Sequence, residues 1–149
     1  MKYPQTLAGE LFSLFPNENL MTIKKYGCLA FVVMWCLGIE PDDVMAICNV
    51  QMMINAKVID KDCTVQWAKI IPYLTGRSLE KVEFRQIKVL KGLKGRVPVL
   101  YKINPSDKGG HWVGVENGKI KFNPLADSLC VNKGRPVEAR IMTISGVNV

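Results

Sequence analysis

The chain has 149 residues, 48% of them hydrophobic, with 20 Lys and Arg against 13 Asp and Glu and a formal charge of +7. That length is enough for one sizeable core and too short for two, so one domain over residues 1–149 is expected. The longest uncharged apolar stretch, Cys28 to Ile39, falls well below the roughly 20 residues of a membrane span, and no apolar segment follows Lys2, which argues against a membrane anchor and a secretory signal.

In chain order, Thr6 to Phe15 reads as a short amphipathic helix ended by Pro16, and Cys28 to Leu37 as a solid apolar helix stopped by Gly38. Pro41 suits the first turn of a further helix, with Asp42 and Asp43 at its positive end and Val44, Ile47, Cys48, Met52 and Ile54 continuing it. A connection from Asn55 leads to a helix over Val65 to Leu74, which carries Trp67 and closes at Thr75-Gly76. Trp67 either lines a groove or belongs to an ordinary packed face with Ile70, Ile71 and Leu74.

The second half reads as strands: Val82 to Ile87, Val97 to Ile103, His111 to Val115, Lys119 to Asn123 and Val137 to Ile144, with a helical turn near Val89 to Leu93. Asn117-Gly118 between alternating segments marks a hairpin, because this pair readily takes positive φ. Helices first and an antiparallel sheet later make an α+β domain.

Five cysteines, at 28, 36, 48, 63 and 130, form no C-x-x-C and an odd number. They predict reduced thiols in a cytoplasmic protein, with no disulfide framework, no metal site and no cofactor. Gly27 followed by Cys28 at the start of an apolar helix puts a sulfur at the positive end of the helix dipole, where thiolate is favoured; Lys24 and Lys25 push the same way if they lie close. The alternative is one more buried core thiol. His111, the chain's one imidazole, follows Gly109-Gly110 and is the candidate base for such a thiol. Antiparallel pairing across Asn117-Gly118 returns Asn123 towards His111, where its carbonyl can orient the ring; Asp127 is the alternative orienter. Trp112 alternates to the other face of its strand from His111, which favours a core position.

Tyr26-Gly27-Cys28-Leu29-Ala30-Phe31 and Gly110-His111-Trp112-Val113-Gly114-Val115, with the hairpin to Phe122-Asn123-Pro124, resemble the Cys and His boxes of C39-like, papain-like cysteine peptidases of bacterial and phage type. The likeness covers about Thr22 to Asn123. It implies a papain-like fold, with the nucleophile helix packed on an antiparallel sheet, and hydrolysis of a peptide or related amide bond through a thioester. Cys28 would attack, His111 would carry the proton and Asn123 would orient the ring. Many papain-like enzymes place an oxyanion-binding Gln about six residues before the nucleophile. Thr22 stands there in this chain, so Thr22 or the more distant Gln5 is the side-chain candidate.

Two other readings stay open: a papain-like module that binds peptides without cutting them, and a small basic protein that binds nucleic acid or another anionic polymer. The last draws on Lys88, Lys91, Lys94, Arg96, Lys119, Lys121, Lys133 and Arg135, with Tyr101 and Phe122 as stacking surfaces. Composition predicts no membrane partner and leaves the oligomeric state open.

Overall fold

The computed structural model of the chain describes residues 1–146. Helices α1 (Pro4–Leu14), α2 (Glu18–Tyr26), α3 (Cys28–Cys36), α4 (Asp43–Asn55) and α5 (Trp67–Thr75) fill the first half. Strands β1 (Leu79–Gln86), β2 (Arg96–Lys102), β3 (His111–Glu116), β4 (Lys119–Phe122) and β5 (Arg135–Ile144) form the second, with the short helix α6 (Leu129–Lys133) between β4 and β5. The expected α+β class is the observed one. No helix of the described residues is long and apolar enough to cross a membrane.

Three local expectations change. Helix α2 was not anticipated, yet Asn17 caps it by accepting from the backbone N–H of Asn19 and Leu20, and Lys24 and Lys25 occupy its last turn. Helix α4 is capped by Asp42, which accepts from Met45 N–H at 2.9 Å, so Pro41 lies ahead of the helix instead of inside its first turn. The neighbouring Asp43 accepts from the backbone N–H of Lys2 and Tyr3 and ties down the start of the chain. Finally, Val89 to Leu93 forms turns and no helix; Gly92 takes φ +91° there.

The sheet runs β1-β5-β2-β3-β4, antiparallel at every pairing, with the last strand of the chain inserted between β1 and β2. Asn117 at φ 50° and Gly118 at φ 82° turn β3 into β4, as a tight hairpin requires. Helix α3 is buried from Ala30 through Trp35 and packs across β2 and β3; a helix apolar on every side belongs in such a central position. Trp35 stacks on Phe122 at 5.8 Å between ring centroids and joins the helical core to β4. The other face of the sheet buries Val97, Val99, Tyr101, Val113, Val115 and Ala139 beneath Leu93, Cys130 and Val131.

Candidate active site

Cys28 opens α3 directly after α2, with Gly27 alone between them. Gly27 has helical angles, φ −75° and ψ −7°, so its value is not a left-handed turn. A Cβ there would lie 2.6 Å from the Ile23 carbonyl oxygen, and only glycine lets two helices abut this closely. Lys24 carries one of the last carbonyls of α2, which a terminating helix leaves without an intrahelical donor. Gln5 supplies the donor: its Nε2 gives a hydrogen bond to Lys24 O at 2.9 Å, while its backbone N–H donates to Pro124 O at 3.0 Å. Gln5 thus ties the approach to Cys28 to the segment that follows β4.

The Cys28 sulfur meets the sheet at the backbone of Trp112. Backbone hydrogen bonding from Trp112, the residue after His111, acts on the thiol, together with that of Leu29 and Cys28 itself. These contacts favour thiolate, but burial outweighs them and pushes the Cys28 thiol above its ordinary value; the residue is 6% exposed. The lowered pKa expected from the helix end and from Lys24 and Lys25 is therefore reversed, because both lysines are exposed and the sulfur is buried. The resting thiol keeps its proton.

His111 starts β3, paired with Tyr101 of β2, and is buried. Its Nε2 lies 2.6 Å from Asn123 Oδ1. The same Oδ1 accepts the Leu125 backbone N–H at 3.1 Å, which identifies it as the carbonyl oxygen. The Nε2 must then carry the ring proton, leaving the Nδ1 lone pair free to act as a base. Burial pushes the imidazole below its ordinary 6.5, and the Asn123 hydrogen bond partly offsets this.

That shift has a consequence for folding. Below pH 6.5 the unfolded chain binds the His111 proton more readily than the folded one, so His111 contributes stability above 6.5 that is lost as pH falls through its lower folded value. Thermal midpoints measured between about pH 7 and pH 5 should fall for the wild type, and His111→Gln should flatten part of that slope. An unchanged slope in the variant would show that the ring is not held neutral by burial.

Asn123, and not Asp127, is the residue that meets His111; Asp127 is exposed at φ 55°. The Thr22 hydroxyl donates to Glu18 O one turn back in α2, at 3.1 Å, which uses its one proton and removes it as an oxyanion donor. Gln5 has one amide hydrogen committed to Lys24 O, and its Oε1 is buried with no partner among the described residues. No group of three His, Cys, Asp or Glu among the described residues is placed to hold a metal ion.

A cleft of about 570 Å³ opens at Cys28. Cys63, Thr64, Trp67, Gly110 and Trp112 line it, whereas His111, between the last two in sequence, is buried and is not among the lining residues. Trp67 is thus both half-buried on the helical core and part of the cleft, while Trp112, expected in the core, also lines it. Cys63, whose thiol burial pushes up to about 12, and Phe84 and Arg140 were not anticipated. Arg140 sits between Ala139 and Ile141 in an alternating strand, a pattern that reads as an ordinary outward residue.

Of the basic residues, Arg96 is engaged within the fold. Arg96 bonds to Glu116 at 2.8 Å, to Glu40 at 3.1 Å and to Trp35 O at 2.8 Å, and its guanidinium lies 4.3 Å from the Trp35 ring. It is a structural clamp and no part of a solvated basic face. Lys88, Lys102 and Arg135 line a separate concavity of about 780 Å³ that shares no residue with the Cys28 cleft. Tyr101 and Phe122, considered above as stacking surfaces, are buried in the two cores. Comparison of the chain with protein-family models, with curated proteins and with solved structures finds no significant match.

Proposed function

We propose that the chain is a papain-like cysteine hydrolase that cleaves a peptide or related amide bond. The observation that carries this reading is the hydrogen bond from His111 to Asn123 at 2.6 Å, with the Cys28 sulfur held against the backbone of Trp112, the residue next to that histidine. On this reading a thiol, a base and an orienting amide from three separate segments act on one substrate carbonyl. Convergence of nucleophile, base and orienter is what thiol-dependent acyl transfer needs.

Because thiol and imidazole are both neutral at rest, the chemistry starts with substrate bound. His111 Nδ1 takes the Cys28 proton as sulfur attacks the carbonyl carbon, and returns that proton to the leaving nitrogen. The resulting thioester is released by water, activated by the same ring. The oxyanion would be met by backbone N–H groups at the start of α3, which as the first turn of a helix lack intrahelical acceptors. That role does not require the side chain of Thr22.

The test is to incubate wild-type protein and Cys28→Ala with a peptide library prepared from a digested proteome and to read new termini by mass spectrometry. Wild type should generate termini that the variant does not. Identical peptide populations from the two proteins would leave a scaffold that binds without cutting, or a protein of another function.

A further inference from the structure

We propose that the Cys28 cleft selects substrates that carry a carboxylate beside the bond attacked, and that Arg140 is the residue that reads it. This rests on the hydrolase reading above and adds a substrate class to it. Arg140 projects from β5 and lines the cleft that opens at Cys28. Its guanidinium lies 3.8 Å from the ring centroid of Phe84, its partner across β1, and 4.9 Å from that of Trp112 on β3. The side chain is 12% exposed.

A cation held this far from water requires close anionic or hydrogen-bonding partners. Arg140 has little of either. Nη2 makes a long contact of 3.6 Å with Glu138, and Nη1 is buried with no partner among the described residues. The charge is left under-compensated at the wall of an open cleft, and a planar carboxylate is the group whose two oxygens match a guanidinium edge. The two aromatic rings have already restricted the side chain, so binding an anion costs little further freedom. At the rim, Lys25 and Lys108 add positive charge against the single carboxylate of Asp62, which raises the local concentration of anionic groups.

The inference can be read at Cys28 without a known substrate. Anionic 2-sulfonatoethyl methanethiosulfonate and cationic 2-(trimethylammonio)ethyl methanethiosulfonate convert a thiolate into a mixed disulfide, each expelling methanesulfinate. The sulfonate stands in for the carboxylate. Rates at Cys28, followed by peptide mapping, are divided by those at the exposed Cys48 in the same sample. Wild type should favour the anionic reagent at Cys28 by about tenfold relative to Cys48, the scale of one charge-assisted hydrogen bond. Arg140→Gln should remove most of that preference, Arg140→Lys should keep part of it, and Lys108→Gln should keep most of it. Absence of a preference in the wild type overturns the proposal. So does an equal loss in Lys108→Gln and Arg140→Gln, which would assign the effect to the general field of the rim. Should Arg140→Gln not fold, the wild-type preference and its reduction in Arg140→Lys decide the matter. A ratio of rates does not depend on catalysis, so this outcome is independent of whether Cys28→Ala abolishes cleavage in the library experiment.

Discussion

His111→Ala is expected to slow cleavage of any peptide the wild type cuts by about 100- to 10,000-fold, the usual contribution of a positioned general base. The effect should be this large because burial keeps Cys28 as a thiol, so no pre-formed thiolate can substitute for the missing ring. Asn123 Oδ1 still accepts the Leu125 N–H in the variant, and the segment after β4 keeps that anchor. Circular dichroism should therefore show a folded protein. The wild-type rate should stay level through neutral pH and decline only below 6.5, because the base titrates below its ordinary value. A variant within tenfold of wild type, or a decline that starts above 6.5, would remove His111 from the chemistry.

Gly114→Val should destabilise the fold by about 3 kcal/mol, at the upper end of overpacking costs, and lower the thermal midpoint by about 6–12 °C. A Cβ at Gly114 would run into the six-membered ring of Trp35. Trp35 has nowhere to retreat. Phe122 stacks on the ring, the Arg96 guanidinium lies over it at 4.3 Å, and Arg96 Nη1 also holds the Trp35 carbonyl at 2.8 Å. Pairing the substitution with Trp35→Leu should recover part of the loss, since the two changes share one space. An unaltered midpoint in Gly114→Val would show that α3 and β3 are not locked together here. Because α3 carries Cys28 and β3 carries His111, the same variant should also lower activity in the molecules that remain folded.

The legible parts of this chain share a property: their signals are local. Asn117-Gly118 fixes a turn by backbone sterics alone, and the register that follows carries Asn123 back to His111. The uninterrupted apolar run after Cys28 marks a helix buried on all sides. Helix α2 escaped because only Leu20 and Ile23 turn inward, so hydrophobic periodicity is nearly silent there even though Asn17 and Lys24-Lys25 mark its ends. The thiol pKa was misjudged for a different reason. The helix end was readable at Gly27-Cys28, but the burial that overrides it depends on packing at the sheet, where the backbone of Trp112 meets the sulfur.

By itself, then, the order of residues determined the α+β division, the hairpin and the small set of groups able to do acid–base and nucleophilic chemistry. Backbone preference and apolar spacing act over a few residues and need no knowledge of distant neighbours. Only the tertiary structure decided which way the Cys28 thiol is pushed, that the Thr22 hydroxyl is spent within its own helix, and that Arg140 stands under-paired at the cleft. Desolvation and charge pairing depend on what surrounds a group in space, and those surroundings are assembled from segments far apart along the chain.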